Sequence, residues 1–376
     1  MKRFIFLNMI FSYLFCVNLL GFHIDGVHTS NYAVQQKQMI VDSADKFFEP
    51  GVMFPFSNEF VATNPYNLMQ AAQDTLNFIH QNGKKSSCLI IPSHLSHILT
   101  VKNIENTLEF IITTIKQDMP SGKFRILNPD FLNENFNFIK WNADKQSAQN
   151  NGVNLPYGGM IRLTNYAIFS VPGSYQKTKE YCCPLYQILD NHICKKYSKQ
   201  QILSGILNHP SNKGKARPIV WLSRSDLEDS LMQGTVIVRM LDGKERVFMA
   251  NQSNGIDYDK NNKDPWQQKR YWYFKEDRNS KWSVEQFKKR LNNRQNVVFA
   301  ADIFNIGLGK IIALKHINPF TQKHEIRLGV VADTGGAFVK NLYQLDFFAG
   351  IFKNRQDFTN HIKHLPMRTE AYILYR

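Results

Sequence analysis

VVADTGGAFVKNLYQLDFFAG, residues 330–350, decides how this 376-residue chain is read. A β-type run ends at Asp333, Gly335 and Gly336 let the chain fold back tightly, and a second run begins near Leu342. Upstream, EIRLGVVAD alternates and puts Ile326, Leu328, Val330 and Ala332 on one side of its strand. Downstream, Tyr343, Leu345 and Phe347 share one face, so Asp346 turns to the other, beside Gln344 and Phe348. A carboxyl desolvated by phenylalanines and facing a second carboxylate is expected to keep its proton above the usual range, because burial and like charge both disfavour ionisation. It can then donate near neutral pH, as a general acid that cleaves a glycosidic bond must. The plainer alternative is that Asp333 caps a turn and Asp346 satisfies buried amides.

From about residue 160 the chain is a succession of short β-type runs separated by Gly, Asn and Asp turns: IRLTNYAIF, GTVIVRML, RVFMAN, RYWYF, NVVFAADIF, GKIIAL and AYILYR, besides the two above. Asp242-Gly243 marks a hairpin between two of them. Before 160 the period is helical. Residues 63–83 carry Thr63 and Asn64 at the cap, Pro65 in the first turn, a stripe of Leu68, Ala72, Leu76 and Ile79, and Gly83 as the stop. Val101, Ile104, Leu108, Ile111 and Ile115 predict a second helix from Thr100 to about Gln117. There is no fixed-period repeat.

With 43% hydrophobic and 13% aromatic residues the chain is expected to fold. Its start, MKRFIFLNMIFSYLFCVNLLG, has two basic residues and then an apolar run, the pattern of a secretory signal, or of an uncleaved anchor given its length. Lipidation at Cys16 is disfavoured by Leu14 and Phe15 before it. The remaining cysteines, Cys88, Cys182, Cys183 and Cys194, permit two disulfides in an exported chain, with Cys182 or Cys183 to Cys194 preferred over a strained adjacent link. The net charge of +15 is spread as doublets such as Lys84 and Lys85, with no recognition motif, so a polyanionic envelope is expected as partner and nucleic acid is not. His94 and His97, and His361 and His364, are each three apart but lack a companion carboxylate motif, so neither metal nor cofactor is expected. The signatures of serine hydrolases, zinc peptidases and phosphate loops are missing.

ADTGGAFVKNLYQLDFFAG resembles the aspartate-rich C-terminal motif of the membrane-bound lytic murein transglycosylase A family, whose three-aspartate domain forms a double-psi β-barrel. FAADIFNIGLGKIIAL is similar to the strand carrying the first of those aspartates, here Asp302. Upstream, RLTNYAIFSVPGSYQKTKEYCCPLY resembles the family's Thr-Gly-Tyr-Tyr segment and its continuation, LMQGTVIVRMLDG its Gln-Gly strand and SNGIDY its Asn-Gly-x-x-Tyr element. The likeness spans roughly residues 60–376 and implies Asp346 as the catalytic acid, Asp333 and Asp302 as supports, and Thr164, Gln233 and Tyr166 as groove residues that hold glycan. The family's Gly and second Tyr are Asn165 and Ala167 here, and its Pro is Phe169, changes that bear on the saccharide subsites more than on the acid.

The implied protein is mainly β, of the α+β class. Residues 1–21 would be the signal or anchor, 22–155 helices packing on the barrel, 156–186 with 291–376 the barrel, and 187–290 an inserted smaller β domain across a groove. Its partner would be peptidoglycan in the periplasm or cell envelope, and a monomer would suffice. One aspartic acid would cut between N-acetylmuramic acid and N-acetylglucosamine without water. Tyr166, Trp272 and Tyr273 are candidates to stack on sugars, although aromatics at strand spacing more often belong to a core. The rival readings are an envelope protein that binds peptidoglycan on the same fold with little or no chemistry, and an ordinary hydrolysing muramidase.

Overall fold

The computed structural model describes residues 40–376 except 54–58, 157, 194–196, 260, 261, 263, 279–281, 336, 337 and 339, with the side chains of 82–88 and 191 also left aside. The N-terminal signal or anchor, Cys16 and Cys194 lie outside the described residues, as does Gly336 of the turn.

The strands are β1 (Phe48–Pro50), β2 (Phe60–Val61), β3 (Asn137–Trp141), β4 (Ile161–Gly173), β5 (Cys183–Ile188), β6 (Ala216–Leu222), β7 (Thr235–Met240), β8 (Glu245–Ser253), β9 (Trp272–Glu276), β10 (Val298–Ala300), β11 (Ile311–Ile317), β12 (His324–Asp333), β13 (Gln344–Phe352) and β14 (Arg368–Tyr375). Twelve of them form one sheet, in which β14, β11, β12, β10, β13 and β4 pair in turn and β4 pairs again with β14, so six strands close a circuit. β13 runs parallel to β4, and β10 parallel to β12, while β10 and β13 are antiparallel. β7, β8 and β9 continue the sheet from the far half of β4, and β5 and β6 form a separate pair. The hairpin expected at Asp242-Gly243 joins β7 to β8, with Gly243 at φ +78°.

The four longest helices among the described residues are α1 (Pro65–Ile90), α2 (Val101–Asp118), α3 (Arg224–Gln233) and α4 (Val284–Asn292). α1 starts where the sequence predicts, with the Asn64 side chain accepting from Asn67 N at 3.1 Å. It does not stop at Gly83 but runs on to Ile90. A helical glycine costs about 1 kcal/mol, and docking of the last turn outweighs it. Leu89 and Ile90 are buried, the Leu89 carbonyl accepts from Leu308 N at 2.7 Å, and the Ile90 carbonyl takes the buried Lys310 ammonium. α2 matches its expected span, opened by a reciprocal Thr100–Asn103 cap.

Two cores form. In the first, Leu68, Ala72 and Ile79 of α1 and Ile104, Leu108 and Ile111 of α2 belong with Ile312, Leu328, Leu345 and Phe347 of the circuit. In the second, Phe169 and Val171 at the far end of β4 belong with Leu185, Val220, Val236, Phe248 and Phe274. β4 contributes to both, Ile161, Leu163 and Ile168 to the first and Ala167, Phe169 and Val171 to the second.

The run NVVFAADIF is strand only as far as Ala300. Asp302 instead gathers the turn that follows: Oδ1 accepts from Phe304 N and Asn305 N, and Oδ2 from Asn305 Nδ2 and Asn341 N. Cys182 and Cys183 are free thiols with sulfurs 3.7 Å apart. No helix among the described residues is long and apolar enough to cross a membrane.

Candidate active site

The two carboxylates lie on strands with only the short β10 between them, near enough for their charges to interact. Ala300 lies opposite Asp346 on β13 and opposite Asp333 on β12, where a register shift between Phe299 and Ala300 lets the parallel pair reach the end of β12. On its other edge β13 places Asp346 beside Thr164 and Phe348 beside Tyr166. Residues nearly two hundred positions apart in sequence are thereby fixed one strand spacing apart, about 5 Å.

Asp346 combines two properties. Its side chain keeps some contact with solvent, whereas its two strand neighbours Leu345 and Phe347 are fully buried. Protein nevertheless crowds its carboxyl as densely as in an interior, and this desolvation raises it to about 6, partly offset by the hydrogen bond from Gln344 and the charge of Arg162. Partial exposure with interior crowding is what the floor of a concavity produces.

Asp333 is 7% exposed. Burial raises its carboxyl to about 8, against hydrogen bonds from the Tyr166 hydroxyl to Oδ2 and from Thr334 N to Oδ1, both at 2.8 Å. Repulsion from Asp346 adds to the rise in Asp333. Because the two charges oppose each other, Asp346, the lower of the two, ionises first and Asp333 must then ionise opposite a charge. Between about pH 6 and 8 the pair therefore carries one negative charge.

Asp302 stands apart from this pair. Fully buried, it is raised to about 7 by desolvation, but its four N–H donors all favour the carboxylate and hold the 302–305 turn to Asn341. Its work is structural.

The expected groove residues divide. Tyr166 is at the site, but its hydroxyl is committed to Asp333 and its ring lies 5.2 Å from that of Phe348. Thr164 is there too, accepting from Gln344 Nε2 at 2.9 Å. Gln233, at the end of α3, accepts from Ala167 N at 3.0 Å and so fastens α3 to β4. Tyr273 is sealed inside the second core and offers no face to a sugar; Trp272 is half-buried, with the Arg270 guanidinium 4.7 Å from its ring centre.

Two residues at the site were not singled out from sequence. Gln344 bridges Thr164 and Asp346, and Arg162 donates to Gln344 Oε1 at 3.4 Å. The signal for Gln344 was the two-residue strand period that puts it on the face of Asp346; Arg162 had none, since its place depends on β4 pairing in parallel with β13. No group of three or more His, Cys, Asp or Glu residues suited to a metal occurs among the described residues.

No protein-family profile matches the sequence, and no curated protein matches it. Solved structures do. The chain is similar to a membrane-bound lytic murein transglycosylase from Agrobacterium tumefaciens, at 17% identity and a TM-score of 0.54 over 83% of this chain and 93% of that one. It is similar also to E. coli MltA with bound chitohexaose, at 14% identity and a TM-score of 0.57 over 90% and 96%. The fold is mixed α and β, mostly sheet, as in the MltA lytic transglycosylases, in line with the mainly β class expected from the sequence.

Proposed function

We propose that this protein is a peptidoglycan lytic transglycosylase, with Asp346 as the acid and then the base of a single site. The observation that carries the reading is the position of Asp346, crowded by protein yet reached by solvent, its carboxyl raised to about 6 at the seam between β13, β10 and β4. The shared fold, and the hexasaccharide bound by a protein that has it, support a glycan as ligand.

In the first step the Asp346 carboxyl gives its proton to the oxygen of the N-acetylglucosamine that leaves, as the bond to C1 of N-acetylmuramic acid breaks. The new carboxylate then lies where positive charge gathers at C1 and the ring oxygen. It next takes the proton of the C6 hydroxyl of the same sugar, whose oxygen closes on C1 to give a 1,6-anhydro end. Attack from within the sugar needs no second carboxylate to position water, unlike in ordinary glycosidases. Asp333 serves by staying neutral: when Asp346 loses its proton no second negative charge opposes it. Tyr166, donating to Asp333, holds that neighbour in place.

In this reading the six-strand circuit is a double-psi β-barrel, the second core with its β5–β6 pair belongs to an inserted lobe, and the protein works as a monomer in the cell envelope.

Digestion of purified sacculi with the protein and with Asp346→Asn, followed by mass spectrometry, tests the proposal. Anhydro ends made by the native protein and lost in the variant are expected. Ends heavier by one water would replace it with a hydrolase, and sacculi that bind the protein but stay uncut would replace it with a binding protein.

A further inference from the structure

We propose that Gln344 is the positioning residue of this site: it occupies Oδ1 of Asp346 so that the working proton resides on Oδ2, and Thr164 and Arg162 hold its amide in the one orientation that does so. The inference rests on the reading of Asp346 as the acid and goes beyond it, to which atom acts and what makes it act.

The geometry leaves the amide one orientation. Gln344 Nε2 has two hydrogens and two acceptors, Thr164 Oγ1 at 2.9 Å and Asp346 Oδ1 at 3.2 Å. Its Oε1 accepts from Arg162 Nη1 at 3.4 Å. The hydroxyl proton of Thr164 is directed to the Leu345 carbonyl at 3.4 Å, so Thr164 faces Gln344 as an acceptor. Turning the amide over would set its NH2 against the guanidinium of Arg162, which can only donate, and would take the Thr164 hydroxyl away from the Leu345 carbonyl. Both costs arise within the parallel register that pairs Gln344 with Arg162 and Asp346 with Thr164.

The consequence falls on Asp346. A proton on Oδ1 would point at an N–H that already points back, so the neutral acid carries its hydrogen on Oδ2. Oδ2 has no hydrogen-bond partner among the described residues and is not a sealed, unpartnered atom. The proton is thus on the oxygen free to meet a substrate. After transfer, the N–H of Gln344 stays on Oδ1 and the lone pairs of Oδ2 face the same place, ready to take the second proton. Both steps run through one oxygen without rotation of the carboxyl. Thr164 then acts through Gln344.

Two readouts test this, one of them independent of any reaction. Carbon-13 NMR of the Asp346 carboxyl in the free protein follows its titration, and the pH profile of sacculus cleavage follows its use. The lost N–H favoured the carboxylate, so Gln344→Leu is expected to move both the NMR titration and the alkaline limb of the profile up by about one pH unit. It should lower kcat by about 10- to 100-fold with KM little changed, since orientation and not binding is lost. Gln344→Glu, which sets a carboxylate against Oδ1, should move the limb further in the same direction. Should Gln344→Leu fail to fold, Thr164→Val and Arg162→Lys, which loosen the amide while keeping the charge that Arg162 brings to Asp346, should each give a smaller move of the same sign. A carboxyl titration that stays put in the folded variants overturns the proposal, even where activity falls. If sacculi are never cut, the reading of the enzyme fails, while the NMR titration still decides whether Gln344 governs Asp346.

Discussion

Replacing Asp333 by Asn should flatten the fall of stability with rising pH. In the folded protein the Asp333 carboxyl is raised from 3.8 to about 8 by burial and by the charge of Asp346, whereas in the unfolded chain it ionises near its ordinary value. From about pH 4 to 8 the folded state therefore holds a proton that the unfolded state has released. The stability this group contributes is fully present below pH 4 and is lost as pH rises through 8, at about 1.4 kcal/mol per pH unit. Asparagine neither gains nor loses the proton and still offers an acceptor to Tyr166. Between pH 5 and 7 the native protein should thus lose roughly 3 kcal/mol more than Asp333→Asn. Urea unfolding of both proteins at pH 5, 6 and 7, followed by far-UV circular dichroism, measures the difference in slope. Parallel stability curves would show that Asp333 is ionised in the folded state, and the single shared charge ascribed to the pair would have to be abandoned.

Other expectations follow from single contacts. Tyr166→Phe removes the hydroxyl donated to Asp333, which leaves that carboxyl neutral to still higher pH; cleavage at pH 6 should fall by no more than about tenfold, against complete loss in Asp346→Asn, when initial rates on sacculi are compared. Lys199 is buried with its ammonium 2.6 Å from Glu228. Lys199→Met leaves that carboxylate to Arg224 alone, 2.6 Å from its other oxygen, and should cost about 1.5–3 kcal/mol in urea unfolding. A Cβ at Gly329 would lie 2.5 Å from the Phe299 ring and 2.8 Å from the Val297 carbonyl, so Gly329→Ala should lower stability by about 1–3 kcal/mol. An unchanged melting temperature would mean that β10 and β12 are packed less closely than described.

The legible parts of this chain are those where local pattern and tertiary place coincide. Alternation put Asp346 opposite the buried Leu345 and Phe347, and the structure keeps it there, because a strand has only two faces. α2 was readable because its cap and apolar stripe agree. Gly83 misled because a stop signal worth about 1 kcal/mol was set against docking of Leu89 and Ile90, which lies outside the local window. Asp302 was placed in a strand because apolar neighbours surround it, yet the four donors it gathers belong to a turn. What could not be read is which strands adjoin. The partnership of Arg162 with Gln344, and of Tyr166 with Asp333, exists only because β4 lies parallel to β13 at one register, and no short-range feature of either segment encodes that.

β4 is a single thirteen-residue strand that serves both cores, with Ile161, Leu163 and Ile168 in one and Ala167, Phe169 and Val171 in the other. A connection of that kind has no hinge, since flexing it would break ladder bonds to β13 on one side and to β7 on the other. Whatever packs on either face of β4 is thus tied to one rigid ladder. In the proposed reaction the acid would then meet its glycan on a surface shaped before the sugar arrives, with no closing motion about β4 to refine the fit.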